Sequence, residues 1–182
     1  MPSYSATEFA SGLTGPAGLA FDNSGNLFCA NHTDNAISKI TPDGTVSTFA
    51  SGLNYPVGLA FDNSGNLYVS NRYGNNTISK ITPEGIVSTF ASVFFTPGGL
   101  AFDNSGNLYV ANFYNGTISK ITPDGTVSTF VNSGLNYPVG LAFDNSGNLY
   151  VSNYSGNTIS KITPDGSTVS TFATIYRPQF LA

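Results

Sequence analysis

The sequence predicts an all-β fold of four blades. Each blade is a four-stranded antiparallel sheet, and the blades form a four-bladed β-propeller or a propeller-like open arc. Three observations predict it. First, one stretch recurs. Gly58-Leu59-Ala60-Phe61-Asp62-Asn63-Ser64-Gly65-Asn66-Leu67-Tyr68-Val69-Ser70-Asn71 has near copies beginning at Gly18, Gly99 and Gly140, a period of 40 or 41 residues. Periods in that range belong to repeat architectures. Second, each repeat holds four short apolar or β-branched runs between turn residues, and helical periodicity is absent throughout. Third, up-and-down units of four strands at such a spacing are the signature of propeller blades. Residues 1–182 therefore read as one domain of four repeats, about 18–57, 58–98, 99–139 and 140–179, with partial repeats at both ends.

The elements follow in order. Met1 to Ser5 matches nothing else in the chain. Thr7-Glu8-Phe9-Ala10-Ser11-Gly12-Leu13 matches Thr48-Phe49-Ala50-Ser51-Gly52-Leu53 with Glu8 inserted, so the chain opens on the tail of a repeat. The first strand of a repeat, Gly18-Leu19-Ala20-Phe21, is apolar throughout, as suits a strand covered on both faces. Its leading Gly suits a place where backbones approach closely. Asp62-Asn63-Ser64-Gly65-Asn66 is a hairpin turn with a glycine available for positive φ. Leu67-Tyr68-Val69-Ser70 is the second strand, aromatic and β-branched. Thr77-Ile78-Ser79-Lys80-Ile81 is the third, and Thr82-Pro83-Glu84-Gly85 turns it into the fourth, Val87-Ser88-Thr89-Phe90. A longer connection, Ala50 to Val57 in one copy, leads to the next repeat. The inner-strand residues Phe21, Phe61, Phe102 and Phe143 are expected to be buried between blades, where Phe102→Ala costs about 3–5 kcal/mol.

Composition sets further bounds. Only 9% of residues are charged, and Asn, Ser, Thr and Gly supply the polarity instead. Aromatic and β-branched residues are plentiful enough to build a core. A formal net charge of −4 argues against nucleic acid or an anionic membrane as a partner. The single cysteine, Cys29, sits in the slot of Val69, Val110 and Val151 and reads as a small buried hydrophobe. No leader or membrane-spanning run is visible, so a soluble chain is expected, with its compartment undetermined.

The repeat resembles the NHL class of β-propellers. The matching residues are Pro-x-Gly-Leu-Ala-Phe-Asp, then Gly-Asn-Leu-Tyr-Val-Ser-Asn, then Gly-Asn-Thr-Ile-Ser-Lys-Ile, and they recur four times along the chain. Two departures stand out: NHL repeats usually carry Asp where this chain has Asn31, Asn71, Asn112 and Asn153, and such propellers usually have more than four blades. The repeats are also similar to those of streptogramin lyases and, more distantly, gluconolactonases. That similarity implies metal-binding or acid–base groups in the central channel. Here the slots before the inner-strand Gly hold Ala17, Val57, Gly98 and Val139, with no Glu or His. The expectation is a non-enzymatic scaffold or binding module with no catalytic residue, metal or cofactor. The alternative is a lyase-like or gluconolactonase-like enzyme with a degenerate site.

Residues present in all four copies read as architecture, because a catalytic centre needs different groups in different roles. They include the Asp62 and Lys80 positions and the turn acids Asp43, Glu84, Asp124 and Asp165. Asp22, Ser24 and Asn26 match the opening of a calcium loop but lack its later Gly and bidentate Glu, so turn capping is the preferred reading. The non-repeating ionisable groups are Glu8, His32, Asp34, Arg72 and Arg177. Three of them lie between the second and third strands, in loops that also hold Tyr73, Phe113, Tyr114 and Tyr154; the connection before each inner strand adds Tyr55 and Tyr137. In an up-and-down blade both loop sets emerge at one end. One rim should be aromatic and variable, the other acidic and monotonous. Tyr offers apolar area with a polar handle, so His32, Arg72, Tyr73, Phe113, Tyr114, Tyr154, Tyr55 and Tyr137 are candidate contacts for a protein, a glycan or a small ligand. The other reading of these aromatics is as plugs between blades.

The ends carry a last expectation. The chain has its own outer strand from Thr168 to Ala173, then Tyr176-Arg177-Pro178-Gln179-Phe180-Leu181-Ala182, the start of another inner strand with Phe180 in the Gly slot. The segment near Phe9 would supply an outer strand a second time. Ordinary closure by strand exchange is therefore not expected. Either a terminal strand is displaced, or the blades form an open arc with Phe180 and Leu181 on one end face and Leu13 near the other. Such ends would favour self-association through the terminal blades.

Overall fold

The computed structural model describes residues 7–180. Among the described residues sixteen strands form four separate antiparallel sheets. β1 (Pro16–Phe21), β2 (Leu27–Asn31), β3 (Ala36–Ile40) and β4 (Val46–Ala50) make the first blade. β5 (Pro56–Phe61), β6 (Leu67–Asn71), β7 (Ile78–Ile81) and β8 (Val87–Ala91) make the second. β9 (Pro97–Phe102), β10 (Leu108–Asn112), β11 (Thr117–Ile121) and β12 (Val127–Val131) make the third. β13 (Pro138–Phe143), β14 (Leu149–Asn153), β15 (Thr158–Ile162) and β16 (Val169–Thr174) make the fourth. Within each sheet the strands lie in chain order, as hairpin-linked strands must. Among the described residues no helix is long and apolar enough to cross a membrane.

The turns form for the reasons their residues suggest. Asp22 Oδ1 accepts from the backbone N–H of Ser24 at 2.9 Å and of Asn26 at 2.8 Å, and Oδ2 accepts from Asn26 Nδ2 at 2.7 Å. Both carboxylate oxygens thus cap the turn, and Gly25 takes φ +80° within it. At the Thr-Pro-Asp-Gly turns, the Gly44 N–H donates to the Thr41 carbonyl at 2.8 Å.

The inner strands lie side by side in the order β1, β5, β9, β13. No comparable packing joins β13 to β1, so the blades form an open arc and not a closed ring. The leading glycines have the predicted cause. A Cβ on Gly58 would run into the Gly98 carbonyl of the next inner strand, and one on Gly18 into that of Val57. Blades meet through aromatic triads in edge-to-face contact. Phe28 lies 4.9 Å from Phe49 and 5.0 Å from Phe61 of the next blade. Tyr68 meets Phe90 and Phe102 in the same way, and Tyr109 meets Phe130 and Phe143. Below each triad lie fully buried aliphatics such as Leu67, Val69 and Ile81. Cys29 is buried as expected, and desolvation pushes its thiol pKa up.

Two expectations are corrected. The inner-strand phenylalanines are not fully buried. Phe61, Phe102 and Phe143 are half-buried: each packs on the preceding blade on one side only, and Phe61 and Phe102 also border grooves at the turn rim. Phe21 is 67% exposed, because no blade among the described residues packs against it. The end faces are also made by different residues. Phe180 points into the central channel, Leu13 is half-buried, and Leu181 lies outside the described residues. Leu19 and Phe21 form one end face, and Phe172 and Ile175 lie on the other.

Both terminal segments continue the repeat's path. Ile175 N–H donates to the Asn157 carbonyl as Leu53 does to Asn35. Arg177 N–H donates to Asn157 Oδ1 at 2.9 Å as Tyr55 does to Asn35 Oδ1 at 2.7 Å. Ser152 Oγ donates to the Gln179 carbonyl as Ser70 Oγ does to Gly98. At the other end, a Cβ on Gly44 would lie 2.7 Å from the Phe9 carbonyl oxygen, where Gly85 faces that of Phe49 at 2.8 Å. Residues 175–180 therefore run where a next repeat would begin, and Phe9 where a preceding outer strand would lie.

Candidate functional site

Each blade projects one variable residue toward the channel mouth, and a repeated asparagine sets its place. Asn31, Asn71, Asn112 and Asn153 end the second strand of their blades and are buried. Each Nδ2 donates to a third-strand serine, at 2.7 Å for Ser38, 2.9 Å for Ser79, 2.8 Å for Ser119 and 2.9 Å for Ser160. Each Oδ1 accepts from the incoming connection, from Thr14, Asn54, Phe95 and Asn136 N–H respectively. An amide supplies donor and acceptor together, whereas an ionised Asp only accepts. The following residue is tied to the same connection: His32 N–H donates to Gly15, Arg72 to Tyr55, Phe113 to Thr96 and Tyr154 to Tyr137. The two loop sets thus share one end of the arc, as expected.

His32, Arg72, Phe113 and Tyr154 hold the same position in four repeats and carry four different side chains. They converge on one cavity of about 610 Å³ at the channel mouth. Its lower wall is apolar, from Ala17, Val57 and Val139, and Gln179 and Phe180 close the side next to the last blade. Here the symmetric fold does bring different groups to one place. The Arg72 guanidinium carbon lies 4.7 Å from the centre of the Phe113 ring and 5.9 Å from that of Tyr73. Its Nε is buried and has no hydrogen-bond partner among the described residues. Among the described residues no aspartate or glutamate lines the cavity.

The other four candidates lie outside the cavity. Tyr55, Tyr73, Tyr114 and Tyr137 are exposed on the rim. Tyr55 stacks edge-on between His32 at 5.0 Å and Tyr73 at 5.5 Å. Phe113 touches Tyr137 at 4.9 Å and Tyr114 at 5.3 Å. The rim thus has two aromatic clusters that brace the cavity-lining residues. Tyr55 and Tyr137 also hold positive φ, at 49° and 54°, just before the inner-strand prolines. Sequence reasoning missed Gln179 and Phe180 as lining residues. Their alignment to the inner-strand slot was the available signal. Arg177, singled out as non-repeating, stacks over Tyr154 and Tyr176 at 5.5 Å each.

Below the mouth the channel is walled by Gly18, Leu19, Leu59, Leu100, Leu141 and Phe180, none of which offers a side-chain ligand. Among the described residues no three His, Cys, Asp or Glu side chains cluster as a metal site would require. These residues do not fit a resident metal in the channel.

Fold and mouth together define an NHL-type β-propeller arc with a loop-built cavity. A family model described as the virginiamycin B lyase family matches residues 3–175, and the chain belongs to that family. No curated protein matches the chain. Virginiamycin B lyase from Staphylococcus aureus superposes with a TM-score of 0.77 at 23% identity, over 89% of this chain and 57% of that one. A gluconolactonase from Xanthomonas campestris gives 0.80 at 20% identity, over 92% and 65%. A chain of a nidogen/laminin complex gives 0.83 at 20%, over 91% and 67%. The chain therefore spans less than three fifths of the lyase, and at these identities the likeness concerns the fold.

Proposed function

We propose that this chain is a binding module whose mouth cavity takes a small aromatic ligand carrying a carboxylate. The observation that supports this reading is Arg72. Its guanidinium is stacked on Phe113 beside an apolar cavity, and among the described residues its Nε lacks a partner and no acidic side chain lines the space. A planar cation held on an aromatic face is preorganised for a carboxylate. Tyr154 and Phe113 offer ring faces for the aromatic part, and His32 offers a ring nitrogen across the mouth.

Titration with phenylacetate and its uncharged counterpart phenylacetamide tests this. The carboxylate should bind more tightly and shift resonances of Arg72, Phe113 and Tyr154, and Arg72→Gln should weaken it at least tenfold. Shifts confined to the Asp-Asn-Ser-Gly turns, or an unchanged affinity in Arg72→Gln, would sink the reading.

Family membership favours a second reading, an enzyme of the lyase type. A catalytically inactive variant of the staphylococcal lyase is known with quinupristin bound. Turnover of quinupristin by this chain that disappears in His32→Ala would favour that reading over simple binding.

A further inference from the structure

We infer that the two end faces of the arc bind each other between copies, so that this chain pairs head to tail with a second copy of itself. The inference is independent of the mouth cavity. It rests on an interface that the chain already builds three times within itself, between successive blades. One half of that interface is a Leu and a Phe on the inner strand, as in Leu59 and Phe61. The other half is a second-strand aromatic, an outer-strand Phe and an aliphatic after the outer strand, as in Phe28, Phe49 and Leu53.

Each end of the arc displays one half alone. At the first blade, Leu19 is 58% exposed where its counterpart Leu59 is 8% exposed, and Phe21 lies bare beside it. At the fourth blade, Ile175 is 47% exposed where Leu53 is 7% exposed. Tyr150 keeps its edge contact with Phe172 at 4.9 Å, but among the described residues no phenylalanine from a following blade completes the triad. Phe21 is the chemical equivalent of that missing ring. The halves differ, so one copy cannot pair like with like. The contact is heterologous, closing into a larger ring or growing into an open array as the rotation dictates.

The terminal segments set the terms of pairing. Residues 178–180 lie where the partner's inner strand would come, beside β13, and the segment around Phe9 lies where its outer strand would come. Pairing therefore proceeds by exchange. The partner's Leu19 and Phe21 replace a short segment that offers no equivalent of Phe21 within the described residues.

Sedimentation velocity of the full chain over a wide concentration range tests this, with Phe21→Ser, Phe172→Ser and their equimolar mixture. Both side chains are exposed in the single copy, so the variants should keep the wild-type circular dichroism spectrum. The wild type should associate with rising concentration, and each variant alone should do so at least tenfold more weakly. The mixture should recover pairing, because one variant keeps an intact fourth-blade face and the other an intact first-blade face. A wild type that is monomeric at every concentration would assign these faces to something other than a second copy. Association untouched by either substitution, or a mixture no better than its components, would equally overturn the inference.

Discussion

Asp165 receives a hydrogen bond from the Thr163 hydroxyl at 2.6 Å and others from the N–H and hydroxyl of Ser167. These donors hold its carboxyl down at about 2, against an ordinary value of 3.8. Asp43 and Asp124 are lowered in the same way, first by Thr41 and Thr122 and then by the backbone of Thr45 and Thr126. A carboxyl whose pKa is lower in the folded state contributes stability above its unfolded value, and that contribution is lost as pH falls through the folded value. Melting temperature should therefore decline between about pH 4 and pH 2. Asp165→Asn should flatten that decline; an unchanged acid slope would show that the turn does not carry it. At the alkaline end, burial and then the charges of Asp62 and Asp103 push Tyr68 and Tyr109 up to about 12. Their contribution is present below the ordinary value of 10.0 and fades as pH rises toward 12. At this scale the chemistry was legible where a residue acts on its own neighbours, as Asp22 does. For Gln179 and Phe180 the only signal was their alignment to the inner-strand slot, and that they line the mouth cavity depends on how the last blade packs.

Among the strands, the same residue type has different worth at equivalent positions. Phe102 packs against Tyr68 of the preceding blade at 5.1 Å, whereas Phe21 meets no preceding blade among the described residues. Phe102→Ala should cost about 2 kcal/mol, less than a fully buried ring, because only one side is covered. In the dilute monomer Phe21→Ala should stay within about 0.5 kcal/mol of wild type, as substitutions at exposed sites do. Urea melts of both variants decide it, and equal losses would refute the open arc. Gly58→Ala should cost more than either, since its methyl meets the Gly98 carbonyl with nowhere to move. Strand order, turns and the close approach of inner strands were all readable, because each follows from local residue chemistry. The exposure of Phe21 was not, because a periodic sequence marks which faces seek a neighbour and says nothing of whether one is there.

For the whole molecule, stability in a repeat array is the sum of each unit's own stability and its contacts with neighbours. Among the described residues, the second and third blades each have an interface on both sides, and the first and fourth on one only. Opening an end blade breaks one interface, whereas opening an inner blade breaks two. Amide exchange should show this directly. In dilute protein, N–H groups in β6 and β10 should exchange most slowly. Those in β2 and β14 should exchange faster, although their hydrogen-bond registers are nearly the same. Uniform protection across the four blades would mean that they open as one unit and that the interfaces do not act separately. Raising the concentration then separates local stability from assembly. If the Phe21 face of one copy covers Tyr150 and Phe172 of another, protection in β2 and β14 should rise toward that of the inner blades, while β6 and β10 change little. Phe21→Ser should abolish that rise without altering the dilute pattern, because Phe21 is exposed and belongs to no inter-blade cluster among the described residues.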